Sequence, residues 1–270
     1  MTISVQYVSD IHMEFRTAEQ IPKLLKNIGA DVLVLAGDIA CISPEEDFSK
    51  FIALLTYYCT KYKYILHVAG NHEFYTTKRA ITKNECMASI HLKLKAVTKT
   101  FPNYLYLNCD TVTLLINKKP YMFIGATLWT KVEPKDWLTV QNRMNDYSNI
   151  YINHGDKISK FNVMEMQKLH AKHKLFIKKS IDRASTVKIP AILCVHHCPI
   201  LKTGKYESII DQAYEVDMTP IIKKPVVAVL WGHIHEHYYK VIDGIIYSSN
   251  PKGYNNQRNT GFKDDSVIKV

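Results

Sequence analysis

The chain has 270 residues, 47% of them hydrophobic, and a formal charge of +10. That length fits one large domain with a substantial core; no apolar run approaches the roughly 20 residues of a membrane span, and the start Met1-Thr2-Ile3-Ser4-Val5 lacks a signal-peptide profile. The expected location is therefore the cytoplasm, and the basic balance permits anionic substrates without establishing nucleic-acid binding.

Ile3–Val8 and Val32–Leu35 are apolar, β-branched runs followed at once by loop residues, so they are expected as buried strands. Between them Thr17–Ile28 is amphipathic and reads as a helix closed by Gly29. Ser43-Pro44-Glu45-Glu46 carries the marks of a helix start, with Ser43 as cap, leading into Phe48–Tyr62. Tyr64–Val68 is the next strand, and the alternation so far is that of an α/β sheet. In such sheets functional groups gather at the carboxyl ends of the strands.

Ile81–Thr98 is expected as a helix, and Leu105–Leu107, Val112–Ile116 and Tyr121–Thr127 as strands. Lys131–Gly155 reads as an irregular functional loop. Phe161–Ala184 is a long helix whose inner face repeats Met166, Leu169, His173, Phe176, Ile177 and Ser180. Ile189–Val195, Val226–Leu230 and Ile245–Ser249 complete the strands, and one domain over residues 1–270 is expected. Six scattered cysteines without a Cys-x-x-Cys pair are expected as buried free thiols in a reducing compartment.

Short polar clusters follow five of these strands: Asp10-Ile11-His12, Gly37-Asp38, Gly70-Asn71-His72-Glu73, His196-His197 and Gly232-His233-Ile234-His235. Asp10 and His12 are two apart, as are His233 and His235, so in extended chain each pair points to one side. Asp38 offers two oxygens able to bridge two ions, and Asn71 a neutral carbonyl oxygen. His72 beside it stays free for substrate. Mixed carboxylate, carbonyl and imidazole donors suit manganese, iron, zinc or nickel better than a thiolate zinc site. Two ions ~3.5–4 Å apart clamp the attacking and leaving oxygens of an in-line displacement at phosphorus. Alone, each cluster says little: Asp10 could be a turn or helix-cap residue, Asn71-His72 a turn, and Gly37-Asp38 and His196-His197 are weak signals by themselves. Their combination and placement point to a dinuclear hydrolytic site.

Other features are weaker. Residues 157–188 hold nine Lys or Arg against two acids, most of the formal charge. That is either a solvated helix face or a guide for a polyanion such as nucleic acid. Tyr75 and Tyr254, and less directly Trp129 and Asp146, are candidates to line the substrate site. His67, His91, His170 and His173 read as structural, and His237 as an outer partner of a bound imidazole.

The five clusters, together with Gly125-Ala126-Thr127-Leu128-Trp129-Thr130, Met144-Asn145-Asp146-Tyr147 and Ser249-Asn250-Pro251-Lys252-Gly253-Tyr254, resemble the calcineurin-like metallophosphoesterase superfamily, in its small single-domain bacterial and viral branch. The resemblance spans essentially the whole chain. It implies an α/β fold, a four-layer α-β-β-α sandwich of two mixed sheets flanked by helices. It implies one divalent ion on Asp10, His12, Asp38 and His235 and a second on Asp38, Asn71, His196 and His233, manganese first among the metals. A hydroxide between the ions would attack phosphorus, with His72 contacting phosphate or protonating the leaving oxygen. His196 is preferred over His197, and the choice stays open. Gly37-Asp38-Ile39-Ala40-Cys41-Ile42-Ser43 lacks the Gly-Asp-x-x-Asp-Arg-Gly of the protein Ser/Thr phosphatases, which disfavours that branch. The implied substrate is a phosphate ester, diester or monoester. Nucleotide or cyclic-nucleotide phosphodiesterase or nuclease-like activity is the alternative, and a catalytically silent nucleic-acid-binding protein the alternative of another class.

Overall fold

Runs such as Val32-Leu33-Val34-Leu35 lack any polar alternation because both of their faces are covered. A computed structural model describes residues 2–76, 85–155 and 157–270. In it Val32, Val34 and Ala36 face a core shared with Phe123, Ile192 and Leu230, while Leu33 and Leu35 face one shared with Phe51, Leu55 and Leu94. Strands buried on both sides read as continuous apolar segments.

The first sheet joins β1 (Ser4–Val8), β2 (Val32–Ala36), β3 (Tyr64–Val68) and β4 (Tyr104–Tyr106) in parallel, with β13 (Val267–Lys269) antiparallel on β1. The second has β6 (Lys119–Ala126), β9 (Ala191–Val195), β10 (Val226–Trp231) and β12 (Ile245–Ser249) in parallel. Its edges are the antiparallel strands β5 (Asp110–Ile116) and β11 (Tyr238–Ile242). Helices α1 (Glu45–Tyr58) and α2 (Met87–Val97) cover the outer face of the first sheet. The long α5 (Val163–Thr186) covers that of the second through Ile177, Ile181 and Ala184. The result is four layers, helix, sheet, sheet, helix. No helix among the described residues is long and apolar enough to cross a membrane.

Several expectations are corrected. The segment 17–28 forms only a 3-10 helix, Ala18–Lys23, with Pro22 inside it; proline removes a helical N–H and crowds the preceding turn. Helix α1 starts at Glu45 with Pro44 as its cap, and the Ser43 hydroxyl bonds to Glu85 instead. Residues 131–155 are not one irregular loop. They hold α3 (Trp137–Arg143), α4 (Asp146–Asn149) and β7 (Tyr151–His154), which pairs with β8 (Lys157–Lys160). Helix α5 begins two residues late because Asn162 accepts the Glu165 N–H at 3.0 Å. Helix α2 begins at Met87, and the start expected at Ile81 lies outside the described residues.

Candidate metal centre

The polar clusters meet because their loops are laced together at the carboxyl ends of β1, β2, β3, β9 and β10. Main-chain hydrogen bonds run from Asp10 to Gly37 (2.9 Å), His12 to Asp38 (3.0 Å) and Met13 to Ile39 (2.9 Å). Glu73 is fully buried and ties the third loop to the second. Its carboxylate accepts N–H groups from Asp38 (2.9 Å), Ile39 (2.7 Å) and Gly70 (2.6 Å). Burial works to raise the Glu73 pKa, but His67 and these donors hold it below the usual carboxylate value.

Extended geometry is not what aims the ligands. Asp10, His12, Asp38 and His233 all sit in the left-handed region, with φ of 52°, 52°, 54° and 69°. Such backbone costs about 1–3 kcal/mol per residue and persists only where the surroundings impose it. The expected same-side alternation of Asp10 and His12 is thus replaced by tight turns.

Two overlapping groups of the expected ligands result, and His72 lies close enough to His12 and Asp38 to form a further candidate group with them. In the first, His235 Nε2 lies 3.3 Å from Asp10 Oδ1 and 3.2 Å from His12 Nε2, and His12 Nε2 lies 3.8 Å from Asp38 Oδ2. In the second, His196 Nε2 lies 3.4 Å from Asp38 Oδ1 and 3.2 Å from Asn71 Oδ1, with His233 in the same cluster. Asp38 belongs to both. Burial works to raise the Asp10 carboxyl, but His235 overrides it and holds it well below the usual range. Burial, helped by Glu73 and Asp10, raises that of Asp38 despite the opposing pull of His196.

The donor chemistry fits cations. His196 Nδ1 is 2.9 Å from the Ala36 carbonyl, which can only accept, so a neutral His196 turns the Nε2 lone pair inward. Asn71 spends its amide hydrogens on Asp146 (2.8 Å) and Tyr75 (3.2 Å), which leaves its oxygen facing His196. His12 Nδ1 bonds to Glu14 at 3.0 Å and His235 Nδ1 to Gln257 at 2.5 Å, so their Nε2 atoms face each other without a proton to share when both rings are neutral. His233 Nε2 is buried without a partner among the described residues. Lone pairs gathered this way repel until positive charge lies between them.

His72 stands on the wall of this site. Its main-chain N–H donates to Asp38 at 2.8 Å. Its ring stacks on Tyr75 at 4.2 Å, its Nδ1 is 2.9 Å from Glu14 and its Nε2 is 3.4 Å from the Tyr254 hydroxyl. Glu14 therefore serves His12 and His72 through one oxygen. Burial works to raise its pKa, but the two imidazoles lower it to about 2. Sequence reasoning passed over Glu14; its only signal was a third polar residue at the same spacing as Asp10 and His12.

A cleft of about 530 Å³ opens over Asp38, Asn71, His72 and His233, with Tyr75, Tyr214 and Tyr254 on its walls and Arg143, Lys202 and Lys205 among its lining. Trp129 does not line it: the indole is buried against Phe161 and His197. Asp146 also stays behind the wall, holding Asn71 and Tyr75. The outer partner expected in His237 is Gln257. His197 packs against the His233 ring at 4.2 Å, outside the clusters of candidate ligands. His67 bonds to Tyr104 (2.8 Å) and Glu73 (3.3 Å), and His91 to Tyr106 (2.6 Å). His170 donates to the Trp129 carbonyl (2.8 Å), and His173 accepts the Leu128 N–H (3.1 Å). No residue of the basic stretch 157–188 lines this cleft.

A Cβ on Gly70 would fall on the Asp38 carboxylate and 2.6 Å from His196 Cε1. Gly70→Ala is therefore expected to keep its far-ultraviolet circular dichroism and lose bound metal. Elemental analysis finding wild-type metal in this variant would show that the three loops are not held this tightly.

The family model for calcineurin-like phosphoesterase matches residues 4–237. The uncharacterized protein L509 of Acanthamoeba polyphaga mimivirus is 26% identical over 274 residues, covering 94% of this chain and 92% of its own. Among solved structures, the phosphopantetheinyl hydrolase of Mycobacterium tuberculosis superposes with a TM-score of 0.70 at 14% identity, over 100% of this chain and 96% of that one. A putative 5'-nucleotidase of Staphylococcus aureus gives 0.53 at 14% identity, over 93% of this chain and 48% of that one. Both share the two-sheet sandwich.

Proposed function

The chain belongs to the calcineurin-like phosphoesterase family, and we propose that it is a metal-dependent hydrolase that cleaves phosphate esters with two divalent ions, as one domain over residues 1–270. Asp10, His12, Asp38 and His235 would hold one ion; Asp38, Asn71, His196 and His233 would hold the other. Manganese fits these oxygen and imidazole donors, as do iron, zinc and nickel. Bound there, the ions supply Lewis acidity for the phosphoryl oxygens and lower the pKa of attacking water.

The chain's own groups do the rest. Asp146 and Gln257 fix the orientation of Asn71 and His235 through hydrogen bonds. His72 Nε2, beside the Tyr254 hydroxyl, contacts the phosphate or returns a proton to the leaving oxygen, while Glu14 accepts from Nδ1 and orients the ring. The observation that carries this reading is the convergence of carboxylate, amide-oxygen and imidazole donors beneath an open cleft with His72 on its wall. The test is hydrolysis of bis- and mono-p-nitrophenyl phosphate with and without added Mn²⁺. Absence of Mn²⁺-dependent turnover on both esters would overturn it, and their relative rates separate diesterase from monoesterase action. Nucleotides and cyclic nucleotides are the first natural esters to compare.

A catalytically silent nucleic-acid binder would have no use for this donor set. Lys168, Lys172, Lys178, Lys179 and Arg183 are exposed on the outer side of α5, away from the cleft lining. Reversing Lys172, Lys178 and Lys179 to Glu is accordingly expected to leave kcat/KM for the aryl diester unchanged. A drop of several-fold would show that the basic face reaches the reaction.

A further inference from the structure

Beside the two ligand groups lies another cluster of metal-binding side chains. Glu14, Cys41 and His72 each offer a ligand atom, and these atoms lie within 4.8 Å of one another. Each comes from a different loop, after β1, β2 and β3 respectively. The main-chain bonds from His12 to Asp38 and Met13 to Ile39 bring the first two loops side by side. We propose that Glu14, Cys41 and His72 form a third cation site, selective for a thiophilic divalent ion such as zinc, whose occupancy inhibits hydrolysis.

Two independent features point to a ligand. The Glu14 side chain is only 8% exposed, and while one of its oxygens serves His12 and His72, the other is buried without a partner among the described residues. Buried polar atoms are nearly always satisfied, so an orphaned carboxylate oxygen calls for a partner. Cys41 is a buried free thiol, held protonated by burial and then by the carboxylates of Glu14, Asp47, Glu73 and Asp38. The same negative surroundings favour a cation in place of that proton.

The donor set differs in kind from the dinuclear groups. They offer oxygen and imidazole only, whereas Cys41 adds a soft sulfur that prefers zinc or cadmium to manganese. On binding, the S–H bond breaks, a sulfur–metal bond forms and the proton leaves to solvent. The His72 ring, now bound to the ion together with Glu14, is then held away from the substrate. The inhibition rests on the role proposed above for His72; the site itself does not.

Cadmium is the probe. Added to the manganese-loaded protein, it is expected to give an ultraviolet thiolate-to-cadmium charge-transfer band saturating at one equivalent. Turnover of bis-p-nitrophenyl phosphate should fall by roughly 10²-fold or more in parallel, as when an acid–base group is disabled. Cys41→Ala, and Cys41→Ser should alanine loosen the fold, are expected to lack the band, retain manganese-dependent activity and escape that phase of inhibition. Cadmium replacing manganese in the dinuclear groups would inhibit without a thiolate band. A wild type without the band, or Cys41 variants inhibited at the same cadmium concentration, would overturn the proposal. A Cys41-dependent band in a protein with no manganese-dependent hydrolysis would support the site and overturn the phosphoesterase reading.

Discussion

Asp38→Asn is expected to lose essentially all turnover and at least half of the bound metal. Asp38 is 2% exposed and is shared by the two groups of candidate ligands. One of its oxygens faces His196 and accepts the His72 N–H, and the other faces His12. An amide keeps the volume but replaces one oxygen with a donor, removes the negative charge and cannot bridge two cations. The loss should therefore exceed the roughly 10²–10⁴-fold that a missing acid–base group costs. Elemental analysis of the purified variant, alongside its rate on an aryl diester, decides the matter. A variant, or a wild type, fully active with a single tightly bound ion would sink the two-ion arrangement.

Replacing His72 with alanine should have the second-largest effect, with a different signature. Its imidazole bonds to Glu14 and stacks on Tyr75, while its main-chain N–H, which alanine retains, is the group that contacts Asp38. The expected outcome is retained metal and turnover lower by ~10²–10⁴-fold. Esters with a poor leaving group, which need protonation most, should suffer more than p-nitrophenyl esters. If metal is lost as well and the deficit ignores the leaving group, His72 is a ligand and the assignment fails.

The contrast between the two variants turns on features of unequal legibility. The donors themselves could be read from the chain because each stands directly after a strand buried on both faces. An unbroken apolar run such as Val32–Ala36 makes the polar residue after it conspicuous. The residues that aim those donors could not. Asp146 holds Asn71 across 75 positions, Gln257 holds His235 across 22, and Glu14 reaches His72 across 58. The short helices in 131–155 were hidden for a related reason: their few apolar side chains, Val140 and Tyr147 among them, are buried by distant parts of the chain.

By itself, then, the sequence determined the α/β alternation, the strands and the chemical identity of the candidate ligands, because burial and ligand chemistry are properties of residue type and spacing. Only the tertiary structure decided that these donors meet, that Asp10, His12, Asp38 and His233 do so from left-handed turns, that Asp38 stands between both groups, and that Glu14 and Cys41 lie beside His72. Those facts depend on loops from separate strands being laced edge to edge, and hydrogen bonds between distant loops leave no periodic trace in the sequence.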